Sequence, residues 1–351
     1  MSELSGLPIG IGSLPHKVIT EALELIFKCC PQIPFWPQLP KRDVREGMVA
    51  QFSEGLPCIE ISSGGIVFNP SNKERKLEEF YANLINPEAD YKKDPFRISQ
   101  EYAQGLYAFH QRLKNSDLSQ VKYIKCHITG PFTFAASLKN EKGVALLHDP
   151  VFMQVIIEGL AKKALWQIGY LKEFKKNIII FVDEPYLGCF GSAYTPINKE
   201  DVMKGLGNLV QKIKTFPGVL TGVHCCGNTD WSMLTEIKGI DIINFDAFSF
   251  LDKFTLYSDN LNNFLRKGGI ICWGIIPTQE YSGSESADLL AQRLKNGLEV
   301  LVKKGVDKKL LVDNLLLSPA CGLGSLDVEK ADNIFKLLAG VSSLVMKNKI
   351  I

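Results

Sequence analysis

The sequence predicts a (β/α)8 barrel, a single domain across residues 1–351 with an insertion at about 41–122 between its second and third strands. Three observations carry this reading. Short apolar runs rich in β-branched residues recur eight times, amphipathic stretches of helical length separate most of them, and the residues with useful chemistry gather at the carboxyl ends of the runs. Runs that stay apolar without alternating suit strands buried on both faces, and strands alternating with helices build a parallel sheet. An open doubly wound sheet with Gly10 and Gly12 in a nucleotide loop is the competing architecture. It lacks the third glycine of a dinucleotide fingerprint, and Pro15 follows.

Taken in order, the first run is 9–13 and the second is 34–39. The long stretch that follows contains Cys58-Ile59-Glu60-Ile61-Ser62, which reads as half of a β-hairpin turning at Ser63, Gly64 and Gly65, and a helical pattern at 98–114. No linker or low-complexity tract flanks this stretch, so it reads as an insertion over one mouth of the barrel. Strands are then expected at 123–129, 178–183, 220–225, 240–246, 269–274 and 314–318, with helices at 152–174, 202–215, 284–304 and 328–346.

Composition narrows the function. With 40 Lys+Arg against 38 Asp+Glu, no basic surface for nucleic acid is expected. No apolar run approaches the roughly 20 residues that cross a bilayer. The first ten residues, MSELSGLPIG, lack a basic segment and a long apolar one, so no signal peptide and a cytoplasmic location are expected. Nine cysteines in a long chain then read as reduced thiols, some of them metal ligands. Cys29, Cys30, Cys58, Cys126, Cys189, Cys225 and Cys272 read as packing residues.

The densest chemistry lies at Val223-His224-Cys225-Cys226-Gly227, where the fifth strand ends. Alternate residues of a strand share a face, so His224 and Cys226 point together and Cys225 points away. Asp246 ends the sixth strand and Cys321 follows the eighth; in a barrel all four reach the same mouth. One imidazole, two thiolates and a carboxylate suit zinc, and an exchangeable oxygen ligand leaves room for a thiol substrate to bind as thiolate. Asp183 ends the apolar strand Ile178-Ile179-Ile180-Phe181-Val182, where it suits a substrate ammonium, or else it or Glu184 caps a turn. In Gly10-Ile11-Gly12-Ser13, free N–H groups near Ser13 suit a carboxylate. Trp36 and Trp273 fall at strand ends and either line the mouth or pack.

These segments together resemble the catalytic domain of cobalamin-independent methionine synthase, in the superfamily that also holds the methylcobamide:coenzyme M methyltransferases and uroporphyrinogen decarboxylase. Gly10-Ile11-Gly12-Ser13-Leu14-Pro15 resembles the family's IGSFP, Thr129-Gly130-Pro131-Phe132-Thr133 its TGPVT, and Asp183-Glu184-Pro185 its DEPA. His224 and Cys226 match its H-x-C, residues 241–246 its DVITIE, and Cys321-Gly322-Leu323 its DCGL. The resemblance implies zinc held by His224, Cys226, Cys321 and Asp246, with Asp246 standing where the family has Glu. It also implies homocysteine bound by Asp183, the catalytic carboxylate that grips its amino group, and by Gly12 and Ser13.

Departures from the family bear on the methyl donor. The folate enzyme's additional amino-terminal half has no room in 351 residues, and its histidine in a DIHSP segment is replaced by Cys272-Trp273-Gly274-Ile275-Ile276-Pro277-Thr278. Its acidic GE-x-E element becomes Lys41-Arg42-Asp43-Val44-Arg45-Glu46. A methyl–nitrogen bond needs an acid at the leaving amine, whereas a methyl–cobalt bond needs chiefly a nucleophile. The expectation is therefore a short methionine synthase taking its methyl group from methylcobalamin or a corrinoid protein. The alternatives are another thiol acceptor such as coenzyme M, or a uroporphyrinogen-decarboxylase-like protein.

Overall fold

A strand covered on both faces has no position at which water favours a polar side chain, and Asn177–Asp183 obeys this: every residue after Asn177 is buried. The computed structural model describes residues 3–63, 65–85, 90–191 and 197–347. Its strands are β1 (Leu7–Pro8), β2 (Ile59–Ser62), β3 (Gly65–Phe68), β4 (Tyr123–Thr129), β5 (Asn177–Asp183), β6 (Val219–Cys225), β7 (Ile242–Phe245), β8 (Ile270–Ile276) and β9 (Leu315–Pro319). Seven of them form one parallel, curled sheet in the order β1-β9-β8-β7-β6-β5-β4.

The second expected strand, 34–39, is not one. Phe35 bridges Lys125 on one side and Gln38 bridges Ser13 on the other, each as an isolated pair. Pro34 and Pro37 lack the N–H that a ladder needs, so this segment joins both edges of the sheet through single residues. The first strand also differs from expectation. It occupies Leu7–Pro8, pairs with β9, and gives way to the loop that holds Gly10 and Gly12.

Alternation sorts the strand residues into two cores. Ile178, Ile180 and Val182 pack outward against helices, while Ile179 and Phe181 join Leu7, Ile9, Ile242, Cys272 and Leu316 in a second cluster inside the curl. Gly222 keeps that interior open to a large ring, because a Cβ there would stand 2.5 Å from Phe181. Helices Pro150–Leu171, Lys199–Ile213, Ala287–Lys303 and Val328–Met346 cover the outside, their amino ends capped by Asp149, Asn198, Ser286 and Asp327. Between the second and third expected strands, β2 and β3 form the antiparallel hairpin; Gly64 of its expected turn lies outside the described residues. Helices Lys73–Ile85 and Gln104–Lys114 follow, and Phe68 meets Phe152 edge-on at 4.8 Å. Among the described residues no helix is long and apolar enough to cross a membrane.

Candidate metal centre and amino-acid site

Register brings the polar residues to one place. Asp183 on β5 pairs with His224 on β6, which pairs with Asn244 on β7, so three strands contribute neighbouring polar side chains at one level of the sheet. Cys226 lies just past β6 and Cys321 two residues past β9. A ring nitrogen of His224 and the sulfurs of Cys226 and Cys321 all lie within 4.8 Å of one another. Cys225, between the two β6 residues of this cluster, is buried on the outer face among apolar side chains.

The donor set fits a soft divalent cation. His224 is 2% exposed; its Nδ1 is 2.5 Å from Asn244 Oδ1, and its Nε2 has no hydrogen-bond partner. Such a nitrogen, buried and unsatisfied, is costly unless something coordinates it. A hydrogen bond from Cys321, reinforced by His224, holds the Cys226 sulfur well below the usual thiol range despite its burial. The same bond, together with burial, pushes the Cys321 thiol up. Burial works to lower His224, but the charges of Cys226 and Asp183 and the bond to Asn244 raise it on balance.

The expected fourth ligand stands apart. Asp246 is not part of the 4.8 Å cluster, and its Oδ1 accepts a 2.8 Å hydrogen bond from Ser249 N in the turn after β7. β7 ends at Phe245, one residue short of the strand end expected from the sequence, and the short carboxylate is engaged by its own turn. Among the described residues, His224, Cys226 and Cys321 are the three that could hold a metal together.

Asp183 faces the same space. It is 8% exposed, its Oδ1 has no partner, and burial pushes its carboxyl up to about 6 against the pull of Lys125. Lys125, on β4 and fully buried, donates to the carbonyl of Ile11 and lies 4.9 Å from the Phe181 ring centroid. Burial lowers it to about 8, opposed by Asp183. Lys125 thus binds the loop that holds Gly12 and Ser13, and its charge favours the ionised form of Asp183. Gly12 has φ +150°, and a Cβ there would meet His127 Nδ1 at 2.8 Å. Ser13 packs on the Cys321 turn: Leu323 N donates to its carbonyl at 3.0 Å, and a Cβ on Gly322 would stand 2.3 Å from its Oγ.

Glu184 does not share the site. Its carboxylate accepts from Phe132 N and Thr133 N, each at 2.9 Å, and from Thr133 Oγ1 at 2.6 Å, capping helix Pro131–Ala136. The cap falls on a helix distant in sequence, and Asp183 is left free. Glu184→Ala is expected to destabilise the fold by about 2–3 kcal/mol, since it orphans two buried N–H groups. Denaturant midpoints check this; a change within about 0.5 kcal/mol contradicts the assignment.

A cavity of about 220 Å³ joins these parts, lined by Ile11, Ser13, Gln38, Met48, Asp183, His224, Cys226 and Cys321. A larger groove of about 570 Å³ runs outside the sheet, beside helices Pro150–Leu171 and Lys199–Ile213, and holds none of these residues. Trp36 and Trp273 are fully buried and line neither: Trp36 stacks on His127 at 4.0 Å, and Trp273 packs against Phe245. Sequence reasoning passed over Asn244 and Lys125. Asn244 is a lone polar residue within an otherwise apolar strand, which is the one signal that marks it, whereas Lys125 shares its strand with His127 and Thr129 and carries no such signal.

No protein-family model matches the chain. Over 225 residues, 63% of its length, it is 25% identical to a methionine synthase of Methanocaldococcus jannaschii, and the match spans 65% of that relative. The solved structure of a B12-independent methionine synthase from Shewanella sp. W3-18-1, in complex with selenomethionine, matches with a TM-score of 0.60 over 99% of each chain at 17% identity. That second likeness is one of fold. The chain resembles methionine synthases in sequence over part of its length and in fold along nearly all of it.

Proposed function

We propose that the chain is a zinc-dependent methyltransferase that moves a methyl group from a methylcorrinoid to the thiol of homocysteine, giving methionine. The observation that carries this reading is the triad of His224, Cys226 and Cys321 in one small cavity with Asp183. Zinc held by these three residues supplies a Lewis acid that keeps a substrate thiol ionised at neutral pH. A cavity of 220 Å³ admits an amino-acid thiol, so a tetrapyrrole has to present its methyl group from outside. Asp183 receives the ammonium, and the Ile11–Ser13 backbone lies where a carboxylate can be held. The apolar walls of Ile11 and Met48 exclude water from the nucleophile.

The transfer balances without another reagent. The sulfur lone pair forms the S–CH3 bond, the carbon–cobalt bond breaks, and its electron pair stays on cobalt as Co(I). No acid is needed at the leaving group, consistent with the absence of histidine from residues 272–278. The Shewanella protein is a B12-independent methionine synthase, which speaks for a different donor in that protein, so the assay has two donor arms. With homocysteine and metal-replete protein, methylcobalamin is expected to yield methionine and cob(I)alamin. Methionine from 5-methyltetrahydrofolate alone overturns the corrinoid donor and keeps the thiol acceptor; no methionine from either overturns the whole reading. Coenzyme M serves as competitor thiol and is expected to react poorly, because its sulfonate meets the Asp183 carboxylate.

A further inference from the structure

Among the described buried polar residues that the foregoing chemistry leaves unused is Asn244, which is 0% exposed on the central strand of the sheet. Its amide nitrogen donates to the carbonyl of Cys272 at 3.0 Å and to Ser318 Oγ at 2.8 Å, so both of its protons are engaged. Ser318 Oγ in turn donates to the carbonyl of Pro319 at 2.9 Å and must therefore accept from Asn244. The reversed amide would set its oxygen against the Cys272 carbonyl, acceptor against acceptor, so only one orientation satisfies the network. That orientation presents Oδ1 to His224 Nδ1 at 2.5 Å, and an acceptor there requires a proton on Nδ1. The direction of every bond is fixed by main-chain carbonyls of β8 and β9.

We propose that Asn244 is a positioning residue for the metal centre: it locks the proton on His224 Nδ1, fixes the ring plane, and leaves Nε2 as the single nitrogen His224 can offer to a metal. A ligating histidine commonly gives its second N–H to a carboxylate, a carbonyl or water. Here a neutral amide does so, oriented by two strands that carry no ligand of their own. An amide also adds no negative charge to a site that already holds two sulfur donors. The proposal rests on the metal-centre reading above, and its test separates the two.

Zinc is first counted in the wild-type protein; fewer than about one equivalent retained by His224, Cys226 and Cys321 overturns both readings. In the zinc-loaded wild type, long-range 1H–15N correlation spectra are expected to show a slowly exchanging proton on His224 Nδ1 and metal on Nε2, with the resonance assigned through His224→Gln. Metal on Nδ1 overturns the proposal and leaves the zinc site standing. Asn244→Leu, which keeps the branched shape and the number of heavy atoms, is expected to weaken zinc binding by about 10- to 100-fold in chelator competition. Ser318→Ala is expected to change affinity less than about threefold, because the Cys272 carbonyl alone still orients the amide. Equal zinc affinity in folded Asn244→Leu and wild type overturns the proposal, and the wild-type spectrum decides it if that variant does not fold.

Discussion

Replacing Cys226 or Cys321 with serine is expected to remove zinc and methyl transfer together, with the rate falling by about three orders of magnitude. The ligand count sets the size of the effect. Among the described residues only His224, Cys226 and Cys321 form a group of three or more whose ligand atoms lie within 4.8 Å of one another, and Asp246 is engaged by Ser249. A hydroxyl is a poor substitute for a thiolate, and a site of three protein ligands cannot spare one. Cys225→Ser is the matched control. Its sulfur lies on the outer face, 3.5 Å from the carbonyl of Gly227, and burial pushes its thiol up to about 12, so it is no thiolate at neutral pH. That variant is expected to keep its zinc and to lose only packing energy. Loss of zinc from Cys225→Ser, or its retention in Cys226→Ser, contradicts the assignment.

The second large effect falls on Asp183. Asp183→Asn is expected to raise the KM for homocysteine by about 100-fold while kcat changes far less, because losing one partner of a buried charge pair costs about 3 kcal/mol. The carboxylate is not a metal ligand here, so zinc content is expected to stay near one equivalent. The sign of the pH dependence follows from its environment. Burial pushes Asp183 up to about 6, and only the ionised form grips an ammonium, so homocysteine binding is full above that pH and weakens as pH falls through it. In Asp183→Asn this dependence is expected to vanish. Thermal melts accompany the measurement, because the substitution falls at a buried position. A kcat loss with unchanged KM would assign Asp183 to the chemical step instead.

Much of this architecture is legible in the residues, for reasons that also explain the failures. The run 178–183 reads correctly because both of its faces are buried and nothing but apolar side chains fits before Asp183. The run 34–39 looks equally apolar, yet its prolines reduce it to isolated bridges. The helix expected from 152 begins at Pro150, because Asp149 followed by proline is itself a start signal. At the site, side-chain alternation foretells that His224 and Cys226 share a face, and barrel topology foretells that Cys321 comes near them. Asp246 defeats the same logic, because a strand-end position fixes where a carboxylate starts and not which turn it bonds. Asn244 and Lys125 stay silent for a deeper reason. Their roles depend on how neighbouring strands pair, and register is a property of pairing that no single strand encodes.

The central claim is that the His224, Cys226 and Cys321 site exists to activate a thiol. X-ray absorption at the zinc edge, taken with and without homocysteine, tests it most directly. With zinc on one nitrogen and two sulfurs from the protein, adding homocysteine is expected to raise the sulfur count from two to three. A sulfur count that stays at two under saturating homocysteine would contradict it.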